Sequence, residues 1–172
     1  MQSNAFFAEY ANVIAAVVPV NLATGDNLGQ WVSMKRYMRL VVLAFKGIGT
    51  GGDDPVFTIT QAKDVSGTGS KALNFTQLWK KVNATVTGVG QFTNVTQAAA
   101  NTYTATGDAN KGAIYMFEFK QEDLDGDNGF TCVQVDLAKV GTNSQLGCML
   151  YLTLDARDAK ATPDSPIPAS GF

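Results

Sequence analysis

Apolar residues fall along the chain in short runs separated by Gly, Asn and Asp at roughly ten-residue spacing, the pattern of an all-β domain. The strongest run is RLVVLAFK at residues 39–46, where Leu40, Val42 and Ala44 alternate with Val41, Leu43 and Phe45. Both of its faces are apolar, which predicts a central strand covered on each side. Residues 56–64 alternate differently, with Val56, Thr58 and Thr60 opposed to Phe57, Ile59 and Gln61, so one face is half polar. Residues 13–22 have strand composition, and Pro19, which cannot donate to a ladder, predicts an edge or a bulge there. Residues 75–82 read as a strand with Phe75, Gln77, Trp79 and Lys81 on one side. Shorter candidates lie at 31–34, 92–96 and 102–106, and stronger ones at 113–120 and 130–137. The last, QLGCMLYLTL at 145–154, places Leu146, Cys148, Leu150, Leu152 and Leu154 on one face, read as the face toward the core. Polar turns are expected at 26–29 and 66–70, and a flexible hairpin loop at 47–55.

No long amphipathic helix competes with this pattern. The expected fold is a single all-β domain over residues 13–155, an antiparallel sandwich of the jelly-roll kind. Residues 1–12, MQSNAFFAEYAN, read as a short helix or an arm, with Phe6, Phe7 and Tyr10 on one side. Residues 156–172 carry Pro163, Pro166 and Pro168 without periodicity and read as an extended tail.

Composition narrows the function. A chain of 172 residues suits one domain, and 13 basic against 15 acidic residues with no block of like charge leave no clustered surface for nucleic acid. Charged residues are only 16%, so much of the surface must be Thr, Ser, Asn, Gln, Gly and Ala. There is no histidine, which removes Ser-His-Asp and Cys-His catalysis, histidine-ligated metals and a histidine switch together. The chain is therefore read as a non-enzyme without a cofactor. Cys132 and Cys148 are too few for a zinc or iron–sulfur site and read as small buried hydrophobes, with a disulfide as the less favoured alternative. No basic region precedes the apolar residues 13–18, and Pro19 interrupts them, so neither a secretory signal nor a membrane span is expected.

Four constellations hold residue types that could carry chemistry. Gly47 to Pro55 is glycine-rich but lacks the Lys-Ser/Thr ending of a phosphate loop and precedes a strand instead of a helix. Asp123, Asp125 and Asp127 have the alternate spacing of a calcium loop, yet Asn128 stands where glycine is required and Gln134 where a bidentate Glu is required. A solvated turn using Asp and Asn at positive φ is the favoured reading of that loop. Asp53 and Asp54 could pair as an acid/base couple, but they sit before Pro55 in a stretch read as flexible. Trp31, Trp79, Tyr103 and Tyr115 could form a platform for sugar stacking, although scattered aromatics more often belong to a β-domain's core and subunit contacts.

Two stretches, VVPVNLATGDNLGQWVSMKRYMRLVVLAFKGIGTGGDDPVFTITQAKDVSGTGSKALNF and YMFEFKQEDLDGDNGFTCVQVDLAKVGTNSQLGCMLYL, resemble small structural proteins of tailed-phage virions, of the type that decorates or cements the head. The likeness spans roughly residues 13–155 and lies in the order of strand and turn words. It implies a β-sandwich on the outside of an assembled capsid, bound to the major capsid protein, often as a homotrimer, made in the host cytoplasm and located on the virion. Phe6, Phe7 and Tyr10 at one end and Pro166, Ile167, Pro168 and Phe172 at the other are then the expected capsid or subunit contacts. The rival readings are a tail-tube or tail-terminator protein, a receptor-binding module using Trp31 or Trp79, and a carboxylate hydrolase using Asp123, Asp125 or Asp127.

Overall fold

A computed structural model describes residues 7–83 and 90–156. One helical turn, α1 (Phe7–Tyr10), leads into β1 (Ala11–Asn21), followed by β2 (Asn27–Leu28), β3 (Val32–Ser33), β4 (Tyr37–Lys46), β5 (Val56–Ala62) and β6 (Lys71–Ala72). Then come β7 (Phe75–Val82), β8 (Thr93–Ala100), β9 (Thr102–Thr104), β10 (Ala113–Lys120), β11 (Cys132–Leu137) and β12 (Leu146–Ala156). Every pairing between them is antiparallel.

The first sheet runs β1-β12-β4-β10-β7-β8, and the second runs β2-β11-β5-β6, with β3 on β11 and β9 on β5. From β1 onward the chain crosses repeatedly from one sheet to the other. The two quartets β1-β12-β4-β10 and β2/β3-β11-β5-β9 therefore have the strand order of a jelly roll, and the β7–β8 pair extends the first sheet past β10. The expected all-β sandwich is present. Pro19 lies where expected, on an edge strand within a register shift between Val17 and Val20.

The core fills from both sheets. Phe57 of the second sheet packs 5.0 Å from Tyr115 and 5.1 Å from Phe117 of the first, and Phe75 stands edge-on to Phe117 at 5.5 Å. The alternation in β5 is as read, with Phe57, Ile59 and Gln61 inward.

Several local expectations are corrected. The 47–55 segment is no hairpin, because β4 pairs with β12 and β10 whereas β5 pairs with β11, β6 and β9; the loop carries the chain between sheets. Asn27–Leu28 is a short strand on β11, so the turn expected at 26–29 falls earlier, around residues 22–25. In β7 a register shift between Phe75 and Gln77 breaks the alternation, so that Phe75 and Leu78 are both buried and Trp79 points outward. The leucines of β12 are also reversed: Met149, Tyr151 and Thr153 are fully buried, while Cys148, Leu150, Leu152 and Leu154 are half-buried and Leu146 is exposed on the other face. A one-residue phase error moves every side chain of a strand to the opposite face. Likewise β4 is central, but its outer residues Val41 and Leu43 are only half-buried and Phe45 is exposed.

Tyr151 explains the phase of β12. Between β2 and β3 the chain leaves the ladder at Gly29, whose N–H donates to the Val135 carbonyl at 2.9 Å while its own carbonyl accepts from the Gln134 side-chain Nε2 at 2.7 Å. The Val135 N–H is left without a strand partner and donates instead to the Tyr151 hydroxyl at 3.0 Å, across the core from the opposite sheet. A Cβ on Gly29 would collide with that hydroxyl and with the Val135 carbonyl, so glycine is required by space.

At one end of the core, the buried Lys46 ammonium donates to the carbonyls of Gly47, Ala109 and Lys111 at 3.2, 3.1 and 2.7 Å. Burial pulls its pKa below the ordinary lysine value. Asp108, also buried, accepts from Lys80 at 2.8 Å and from the Tyr115 hydroxyl at 3.3 Å. Burial alone would lower the Lys80 pKa, but the hydrogen bond to Asp108 leaves it raised.

Replacing Tyr151 with Phe leaves the Val135 amide buried and unpaired, and is expected to cost about 1–3 kcal/mol, read as a lowered urea midpoint. Stability is also expected to fall as pH rises past 10. The folded-state pKa values of Tyr103, Tyr115 and Tyr151 are raised above 10.0, chiefly by burial, so their contribution is complete below the unfolded value and is lost above it. Lys46, lowered below 10.5, works in the opposite sense only up to its unfolded value, whereas Lys80, raised above 10.5, adds to the fall. Alkaline titration followed by circular dichroism and tyrosinate absorbance checks the sign.

Candidate functional site: the outer face of the first sheet

The register of the first sheet lines up apolar side chains in rows on its outer face. Across the middle, Ala15 lies beside Leu150, Leu150 beside Leu43, Leu43 beside Met116, and Met116 beside Trp79. The neighbouring rows run Val13, Leu152, Val41 and then Cys148, Phe45, Ile114. Five strands thus present a continuous apolar surface. Val13, Phe45 and Trp79 are exposed at 49%, 45% and 38%, and Leu146 at 65%, while the central leucines and Met116 are half-buried by one another.

Charge is confined mostly to one end of this face. Arg39 pairs with Glu118 at 3.1 Å and with Asp155 at 2.6 Å, and Lys120 pairs with Glu122 at 3.2 Å. Its hydrogen bond to Asp155, more than any other contact, keeps the Arg39 pKa above its ordinary value. These exposed pairs add little stability. Beside them a shallow groove of about 750 Å³ is lined by Met38, Arg39, Lys120, Leu124, Asp125 and Asp127 among others.

The acidic loop borders that groove without forming an ion cage. Asp123 accepts the Lys120 backbone N–H at 2.7 Å and caps the 3-10 turn Gln121–Asp123. Asp125 is paired with Lys71 and accepts from the Asn128 amide at 2.9 Å, contacts that hold its carboxyl below the usual aspartate range, the Lys71 hydrogen bond first. Asp127 is exposed in the second 3-10 turn, Gly126–Asn128. No group of three or more His, Cys, Asp or Glu side chains among the described residues is arranged to hold a metal ion. The positive φ expected of Asp or Asn in this loop belongs instead to Gly129, at 82°.

The other candidates separate. Asp54 accepts the backbone N–H groups of Gly107 and Ala109 at 3.0–3.1 Å, which ties two loops together and makes it a structural carboxylate. Asp53 packs against Gly141, where φ is +42° and a Cβ would strike its carboxyl group. Tyr103 and Tyr115 are buried in the core, Trp31 packs against Gly67 and Trp79 lies on the outer face, so no shared platform exists among the four. Cys132 and Cys148 are both free and lie in different sheets. Burial raises both thiols.

Of the expected contact residues, Phe7 is exposed and packs edge-on to half-buried Tyr10 at 5.4 Å. Phe6, Pro166, Ile167, Pro168 and Phe172 lie outside the described residues. Because Ala11 pairs with Leu154, the described chain starts and ends at one corner of the first sheet.

The sequence contained the residues of the outer face but assigned the leucines to the core. With apolar residues on both faces of β4 and β12, periodicity fixes which side chains share a face and leaves open which face is inward.

No family model matches the chain, and no curated protein sequence matches it. Among solved structures, the SPBc2 prophage-derived protein YomS is similar at a TM-score of 0.42 and 12% identity, covering 86% of this chain and 97% of that one. A chain of infectious bursal disease virus, Gt strain, is similar at 0.27 and 12% identity, covering 90% of this chain, which spans 44% of that one. Likeness at this level fixes neither fold nor function, and the jelly-roll order rests on the strand pairings alone.

The two faces of β12 are separable by substitution. Met149→Thr is expected to cost about 2–4 kcal/mol, since it opens a cavity and buries a hydroxyl. Leu150→Thr, one residue on, is expected to cost about 1 kcal/mol or less, with urea denaturation at low protein concentration as the measurement.

Proposed function

We propose that this protein is a non-enzymatic structural component of a phage virion, and within that class a decoration protein that binds the outside of an assembled capsid and stabilises it. The observation that carries the reading is the open apolar sheet face beside the corner where both terminal segments attach, on a domain in which Lys46, Asp108 and Asp54 are taken up by structural bonds. A broad exposed apolar surface is what an assembly component needs and what a free-standing monomer rarely keeps. The order of strand and turn words in the sequence points to the same class.

The major capsid protein is the partner in this reading, with residues 1–6 and 157–172 as the clamps. Segments that order on a neighbour add buried area without enlarging the domain, at the expense of their ordering entropy. Stabilisation then follows mass action: a ligand that binds only the assembled shell contributes about 2.7 kcal/mol per site when present at a hundredfold excess over its Kd.

Cosedimentation with undecorated, expanded heads of the source phage tests the proposal. Saturable binding near one copy per capsid subunit is expected, and it should weaken at least about tenfold when residues 1–6 and 157–172 are removed together, with Ala11–Asn21 left intact as β1. Absence of binding to heads would reject the decoration role.

A further inference from the structure

We propose that the outer face of the first sheet packs against the same face of a second copy of this chain across a twofold axis, with Leu43, Phe45 and Leu150 at the centre. The inference goes beyond the capsid reading: it assigns the apolar face to a second copy and leaves the terminal segments to the shell, and its test concerns the purified protein alone.

The area suits this occupant. Five strands about 4.8 Å apart, each contributing about eight residues at about 3.3 Å, make a face of about 600 Å², and pairing two of them buries about 1,200 Å², the lower bound for a specific interface. The charges suit it as well. Arg39 and Lys120 stand among Glu118, Glu122 and Asp155 at one end, so that end carries both signs and can pair with its own rotated image, whereas a partner of single charge would meet like charges there. Leu28, Ile48 and Phe92, three further exposed large apolar residues, lie outside the rows of this face and apart from one another along the chain. The threefold assembly implied by the sequence resemblance would require the face to meet a different apolar patch on the next copy. Among the described residues the broad patch is this one, so self-pairing is the arrangement that covers apolar surface on both sides.

Cys148 supplies the test, because it lies on this face beside Phe45 whereas Cys132 is buried at 1% exposure in β11. Sedimentation equilibrium of the full chain should give twice 18.3 kDa at micromolar concentration. A bismaleimide spanning the about 10 Å between packed sheets should join two chains through Cys148. The bridge should survive Cys132→Ser and disappear in Cys148→Ser. Leu150→Arg should raise the dimer Kd at least about thirtyfold, and Leu43→Thr should raise it more mildly with the circular dichroism unchanged. Cross-linking of the unaltered full chain needs no variant, so misfolding of Leu150→Arg would not rescue or sink the idea. A monomer at high concentration, a trimer, or a dimer without the Cys148 bridge would overturn it. So would a monomer whose Cys148 becomes reactive only after residues 157–172 are removed, since the chain's own terminal segment would then be the occupant.

Discussion

The phase of one strand decides the architecture. β12 lies between β1 and β4, and its pleat must turn either Met149, Tyr151 and Thr153 or the alternating Cys148 and leucines toward the second sheet. Hydrophobicity alone favours the leucines. The hydrogen bond from the Val135 amide to the Tyr151 hydroxyl supplies the opposing term, because the interruption of the second sheet at Gly29 leaves that amide buried and in need of an acceptor. An unpaired buried amide costs about as much as exposing part of a leucine, so specific pairing can outweigh side-chain transfer here. Once Tyr151 is inside, the β4 register places Val42 and Ala44 inside with it and turns Val41, Leu43 and Phe45 outward.

The same logic separates what the sequence made legible from what it did not. Strand locations and the all-β class follow from period-two alternation and turn residues, as at residues 56–62, where a half-polar outer face leaves no ambiguity. Pro19 marked an edge strand because its missing N–H is a local property. Inside and outside in β4 and β12 were illegible because both faces are apolar, and Phe75 was misplaced because a bulge shifts the period without changing composition. The crossover at 47–55 was read as a hairpin for a similar reason. A glycine-rich loop reports that the chain turns, while strand partners far away in sequence determine which sheet it enters.

Three buried or half-buried charged side chains work as structural ties, although Asp53 Oδ2, Asp136 Oδ1 and Thr153 Oγ1 are buried without a hydrogen-bond partner. Lys46 spends its three protons on backbone carbonyls, Asp54 gathers backbone N–H groups, and Asp108 is matched by Lys80 and Tyr115. Each closes the end of a sandwich where loops would otherwise bury unpaired peptide groups. Asp125, the centre of the calcium-like spacing, is likewise occupied by Lys71 and Asn128. The acidic triplet therefore works as loop stitching, and the surface left for recognition is the apolar sheet.

The position of β12 has a further consequence for biosynthesis. It is the last of the described strands to leave the ribosome, yet it belongs between β1, the first, and β4. Until it arrives, β1 has no partner in its sheet and β4 is paired on one side only. The first sheet can therefore close only once β12 has been made, by an insertion between distant segments, a high-contact-order step that is slow and exposes strand edges meanwhile. Where many copies are made at once, survival of the nascent chain depends on what shields those edges, and the bulged, proline-bearing β1 is suited to that interval.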